Sequence, residues 1–203
     1  MVKVKICGLT RGLDIKYVNE LRPDYIGFVF THSKRRVSDE KALELSKNLS
    51  RNIKTVGVFV NEDINKVREI ATKVKLDILQ FHGDEDMNYI NSFKDFEVWK
   101  ALSIRSKDEL LDLDKYGGVR LLLDSKIEGL RGGSGKTFDW NILKDLKLSK
   151  NIVLAGGLNC ENIMEAIRLV RPFAVDVSSG VESLGVKDYR KIKEFIGKVR
   201  EYK

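Results

Sequence analysis

Short apolar runs and longer, charge-rich amphipathic segments alternate along the whole chain. Apolar or β-branched runs fall at 2–6, 25–30, 53–60, 78–81, 98–102, 119–123, 152–154 and 174–177, and read as eight strands. Segments of helical character lie at 11–21, 38–49, 62–74, 85–93, 107–115, 139–146, 160–170 and 187–200. In the third of these, Ile64, Val67, Ile70, Ala71 and Val74 form one stripe at helical spacing. Ser38 ahead of Asp39-Glu40, and Asn61 ahead of Glu62, are placed as helix N-caps. The strands recur about every 25 residues, too far apart for hairpins and suited to parallel strands joined by helical crossovers. Eight such units predict a closed (β/α)8 TIM barrel, a single domain over 1–203. A doubly wound open sheet would normally need fewer strands.

In a barrel of this kind chemistry belongs at the C-terminal strand ends. Those ends carry Cys7-Gly8, Thr31-His32-Ser33, Asn61, His82-Gly83-Asp84-Glu85, Ser103, Asp124-Ser125, Gly156-Gly157 and Ser178-Ser179-Gly180. Polar and titratable residues collect there and not at the strand starts. Alternation gives a second expectation. Lys5 shares a face with Cys7, Gln80 with His82, and Lys100 with Val98 and Leu102, which implies a partly polar interior network.

Composition narrows the class. Apolar residues make up 42% and charged residues 33%, the balance of a globular protein. No apolar run reaches the length of a membrane span, and the N-terminus lacks a secretory pattern. Cys7 and Cys160 stand far apart with no metal-ligand spacing, so neither a disulfide framework nor a zinc site is expected and a reducing cytoplasm is the default. The net charge of +7 comes from lysines mixed with acids along helices. Without an Arg-rich arm or an aromatic array, that reads as solvated surface, with a basic nucleic-acid-binding barrel kept as an alternative. The positive excess also suits an anionic small substrate.

Individual residues point to one pocket. Gly156, Gly157, Ser178, Ser179 and Gly180 follow the last two strands, where barrels commonly bind phosphate through backbone N–H groups. Gly132-Gly133-Ser134-Gly135-Lys136-Thr137 resembles a nucleotide-binding P-loop but has the wrong glycine spacing, since position 130 is Leu130. It reads instead as a loop that closes over a pocket. Asp124 ends a leucine strand and is a candidate acid; Cys7 is either a small packing residue or a base. Lys5 either favours the Cys7 thiolate or pairs with Asp124 or Asp176. Arg36 closes the cluster Lys34-Arg35-Arg36, a carboxylate clamp or a solvated loop. His82 is an acid, a substrate contact or a structural residue.

Taken together, the stretches Lys5–Thr10, Gly27–Phe30 with Ser33–Arg36, Val56–Asn61, Leu79–Glu85, Leu123–Ser125, Gly132–Trp140, Leu154–Asn159 and Asp176–Glu182 resemble phosphoribosylanthranilate isomerase, in order along the full chain. The resemblance implies a (β/α)8 barrel that performs an Amadori rearrangement in tryptophan biosynthesis, with no metal or organic cofactor. It implies Cys7 as general base and Asp124 as general acid, with Arg36 on the anthranilate carboxylate. It also implies Asp176 and His82 as substrate contacts, and phosphate held around Gly156, Gly157, Ser178, Ser179 and Gly180. The expected partner is a phosphosugar–anthranilate small molecule, not nucleic acid or membrane, acted on by a monomer or homodimer. One departure is Cys160, where the family usually has proline. The histidine-pathway sister barrel remains the nearest rival, although it carries aspartate where this chain has Cys7.

Overall fold

The structure is a computed structural model, and it describes residues 1–104, 113–124, 140 and 151–202. Eight parallel strands close on themselves in sequential order: β1 (Lys3–Cys7), β2 (Tyr25–Val29), β3 (Lys54–Phe59), β4 (Ile78–Phe81), β5 (Glu97–Ser103), β6 (Arg120–Asp124), β7 (Ile152–Ala155) and β8 (Ala174–Val177). The register between β8 and β1, with Lys5 opposite Asp176, completes the closure. Six α-helices are described: α1 (Gly12–Leu21), α2 (Asp39–Lys47), α3 (Ile64–Val74), α4 (Met87–Asn91), α5 (Ile163–Val170) and α6 (Tyr189–Glu201). A 3-10 turn at Leu113–Tyr116 falls at the end of the helix expected over 107–115. The rest of that helix, the helix expected over 139–146, Ser125 and the glycine loop at 132–137 lie outside the described residues.

Each strand is buried on both faces, which is why the apolar runs are nearly continuous. The inward set is one cluster of Tyr25, Val56, Ile78, Trp99, Ala101, Leu122, Val153, Ala155 and Ala174, capped toward the C-terminal rim by Cys7, Val29 and Val58. Outward residues such as Ile6, Phe28, Phe81, Leu123 and Val175 pack against the helices. The helices present their buried residues at the spacing that covers such a surface: Val67, Ile70, Ala71 and Val74 on α3, and Ile192, Phe195, Ile196 and Val199 on α6.

Alternation corrects one expectation, and capping another. Lys5 and Gln80 do face the lumen, but Lys100 does not. Trp99 and Ala101 are the inward residues of β5, so Lys100 lies with Val98 on the outer face. It is buried there because its ammonium pairs with Glu85 at 2.8 Å, and Glu85 in turn accepts the N–H groups of Asn61 (2.8 Å) and Gly83 (2.9 Å). This one carboxylate ties the rim loops after β3 and β4 to β5. Asn61, expected to cap α3, instead adopts φ 48 and accepts the Asp84 N–H at 2.7 Å. The cap is Asp63, which accepts from Asn65 and Lys66. Ser38 caps α2 as expected, accepting the Lys41 N–H at 3.2 Å.

Trp99 fills the lumen edge-on to Tyr25, with ring centroids 5.1 Å apart and its indole N–H on Glu97. Trp99→Ala should therefore cost about 3–5 kcal/mol. Urea denaturation would read this as a lower midpoint, and an unchanged midpoint would show that the lumen refills.

Candidate active site

The first strand delivers its thiol into space that a glycine keeps clear. Cys7 lies in register with Gly27 of β2, and a Cβ at Gly27 would come within 2.7 Å of Cys7 Sγ. The chain then turns at Gly8, whose φ of 80 and contact with the Arg35 side chain both exclude a larger residue. Two residues back on the same face, Lys5 is fully buried and pairs with Asp176 of β8 at 2.9 Å. That decides the sequence-level alternative in favour of Asp176 as its partner. Burial opposes the charge on Lys5, but Asp176 and Cys7 outweigh it and hold the ammonium above its ordinary pKa. Lys5 does favour the Cys7 thiolate, one of the two alternatives, yet the thiol as a whole moves up. Burial pushes Cys7 up, Asp176 adds to this, and the pull of Lys5 and Lys187 does not offset them. Asp176 Oδ1 is buried with no hydrogen-bond partner among the described residues, an acceptor left open in β8.

Asp124 ends β6, separated from β1 by β7 and β8, so its carboxylate meets the same mouth. His82, just past β4, brings Nε2 to 3.5 Å from Asp124 Oδ2. Its Nδ1 lies 3.3 Å from the Gln80 amide, so the lumen fixes the ring from below. A cleft of about 800 Å³ opens beside this pair, between Asn61, His82, Lys100 and Ser103.

The two glycine-bearing turns, after β7 and β8, come together at the rim. Gly156 and Gly157 both have left-handed φ (88 and 65), and Gly180 packs so closely that a Cβ there would sit 1.9 Å from the Leu158 carbonyl oxygen. The backbone N–H groups of Gly157, Ser179 and Gly180 find no acceptor among the described residues. Ser178 Oγ donates to the Cys7 carbonyl at 3.1 Å, joining the loop after β8 to the thiol strand. Arg36 is bridged to Val29, which places its side chain on the mouth side of β2, and it is exposed and without an ion pair among the described residues. The structure thus joins Ser178 to Cys7 and, through Lys5, Asp176 to the same group, while His82 meets Asp124 separately. Arg36 stands apart on the rim.

Several residues here were not singled out by the sequence. Arg35, rather than Arg36, makes the bidentate contact with Glu182, at 2.6 and 2.7 Å. Lys187 was expected to open the last helix, but it lies in a small hairpin of β9 (Glu182–Ser183) and β10 (Val186–Lys187), and Asp188 caps α6 instead. The Leu184-Gly185 turn and an Asp ahead of the helix were the available signals. Cys160, expected at the start of the seventh helix, precedes α5, which begins at Ile163.

Residues 4–198 match the family model described as N-(5'phosphoribosyl)anthranilate (PRA) isomerase. The chain belongs to this family. It is 61% identical to the N-(5'-phosphoribosyl)anthranilate isomerase of Caldanaerobacter subterraneus subsp. tengcongensis, over 98% of both chains. The crystal structure of the Thermotoga maritima phosphoribosyl anthranilate isomerase superposes with a TM-score of 0.91 at 41% identity, covering 99% of this chain and all of the other. A further family structure, in complex with reduced 1-(o-carboxyphenylamino)-1-deoxyribulose 5-phosphate, matches at a TM-score of 0.88 and 39% identity, with 99% and 100% coverage.

The thiol shift is directly measurable. In a Cys160→Ser background, Cys7 is the sole cysteine. Its alkylation by iodoacetamide should be slow at neutral pH and rise with an inflection above the ordinary thiol value, because burial favours the protonated form. An inflection below that value would mean that the neighbouring cations win.

Proposed function

We propose that the chain, acting as one barrel unit over 1–203, catalyses the isomerisation of N-(5'-phosphoribosyl)anthranilate in tryptophan biosynthesis. The substrate is an aminoaldose phosphate and the product is 1-(2-carboxyphenylamino)-1-deoxyribulose 5-phosphate. The observation that carries the reading is a strand-end thiol, Cys7, held in cleared space on the same rim as Asp124 in a chain that belongs to this family.

In the proposed mechanism Asp124 protonates the furanose ring oxygen. The C1′–O bond breaks as the anilino nitrogen supplies its electron pair, leaving a protonated Schiff base. Cys7, in the minor fraction present as thiolate, then takes the proton from C2′, and the electron pair flows toward the iminium to give an enolamine. Return of a proton to C1′, with loss of the C2′ hydroxyl proton to solvent, gives the ketone. No metal or organic cofactor is called for, since the iminium nitrogen is the electron sink. Cys7 acts as a base and forms no covalent bond to carbon.

Substrate contacts follow from the same rim. The amides of Gly157, Ser179 and Gly180, with Gly156 and Ser178 shaping the turns, hold the phosphate. Asp176 Oδ1 accepts a ribose hydroxyl, which would supply its missing partner. Arg36 meets the anthranilate carboxylate as a charged fork. His82 lines the site and steadies the Asp124 carboxylate. A histidine-pathway activity is disfavoured because that reading needs aspartate where this chain carries Cys7.

Turnover is followed by the loss of anthranilate-derivative fluorescence. Cys7→Ala and Asp124→Asn should each lower kcat by at least about a hundredfold while the fold persists, as loss of a general acid or base does. Arg36→Met should raise KM more than it lowers kcat. Near-native kcat in either of the first two variants would remove that residue from its role.

A further inference from the structure

The loop after β8 is held from behind by groups that the proposed mechanism does not use. Lys187 is 3% exposed and lies opposite Glu182 in the β9–β10 hairpin. Its ammonium donates to the Ser178 carbonyl at 3.0 Å and pairs with Glu182 Oε1 at 2.6 Å. Glu182 also accepts the Arg35 fork, and Arg11 Nη2 donates to the Lys187 carbonyl at 2.9 Å. Two cations share one carboxylate, so the group keeps a surplus positive charge directly behind this loop.

Peptide geometry gives this arrangement a consequence. In a trans peptide the carbonyl oxygen and the following N–H point in opposite directions. The Ser178 carbonyl accepts from Lys187 at 3.0 Å and, less closely, from the Val181 N–H at 3.4 Å, so the Ser179 N–H is turned away from both and has no acceptor among the described residues. A buried ammonium with fixed partners is a costly way to set one peptide plane, and a purely apolar residue would pack there at less cost.

We propose that Lys187, anchored by Glu182 and Arg35, is the positioning residue of the anion cradle. It orients the Ser178–Ser179 peptide toward a bound phosphate, and the surplus charge behind it favours the phosphate dianion over the monoanion. This rests on the isomerase reading for the substrate, but not for the anion.

The test titrates inorganic phosphate into the native chain, Lys187→Met and Lys187→Arg at about pH 5 and about pH 8, which bracket the second phosphate ionisation. Amide resonances of Ser179 and Gly180 report binding, and kcat and KM are measured alongside. Lys187→Met should weaken phosphate binding at the higher pH and raise KM by about tenfold or more, with kcat falling by a smaller factor because Lys187 also pulls on the Cys7 thiol. The gain in phosphate affinity between the two pH values should vanish in Lys187→Met and return in Lys187→Arg. Unchanged phosphate affinity and KM in folded Lys187→Met, or a fall in kcat at constant KM, overturns the proposal. Should Lys187→Met fail to fold by circular dichroism, Lys187→Gln is judged on the same criteria. Failure of both to fold also overturns it, by making the residue structural only. A native chain without turnover whose phosphate response still depends on Lys187 would sink the isomerase reading alone.

Discussion

Closing eight parallel strands into a barrel leaves a lumen that must be filled, and its floor and middle are filled by apolar side chains around Trp99. One layer below Cys7, Val29 and Val58 the filling includes charge, with Lys5 fully buried against Asp176. Removing two such ions from water costs several kcal/mol each, and only their mutual attraction and further hydrogen bonds offset it. Breaking the pair would leave one charge uncompensated, typically a loss of about 3–5 kcal/mol. The pair is therefore tolerable only while β1 and β8 stay in register. Burial at the mouth leaves Cys7 a high-pKa thiol, and Asp176 Oδ1 without a hydrogen-bond partner among the described residues.

The rim is built by the same device repeated. Glu85 gathers Lys100 and the N–H groups of Asn61 and Gly83, fixing the loops from which His82 reaches Asp124. Glu182 gathers Arg35 and Lys187, fixing the loop after β8 against the thiol strand. In each case a buried carboxylate from one loop binds cations or amides from another. Glycines then permit the close approaches: Gly27 beside the thiol, and Gly180 against the Leu158 carbonyl. A rim cross-tied in this way holds donors and acceptors in place before a ligand arrives, which is how a polar site lowers a barrier without reorganising.

The strand pattern was legible because both faces of a parallel strand are buried, so each strand is a nearly unbroken apolar run. Helix stripes such as Val67, Ile70, Ala71 and Val74 were legible for the corresponding reason. The errors share a cause. Asn61 and Asp63 are both good cap residues two positions apart, and only the contact with Asp84 draws Asn61 away. Lys100 reads as an interior residue because a lysine in mid-strand demands a partner, and that partner, Glu85, lies on a loop beyond another strand. Arg35 and Arg36 are adjacent and chemically equal in the sequence. The bridge to Val29 and the position of Glu182 give them different tasks.

By itself the sequence determined the number, order and direction of the strands, and which residues stand at their chemical ends. Period and spacing are local properties, and crossover connections leave little freedom once eight units are present. Cys7, Asp124 and the two glycine turns were therefore visible as a set. Tertiary structure alone decided which ionisable groups meet across the rim, and hence that burial raises the Cys7 thiol while Lys5 is committed to Asp176. Those outcomes depend on contacts between residues as much as 171 positions apart, and on how deeply each is removed from water. Neither quantity is written in any local stretch of the chain.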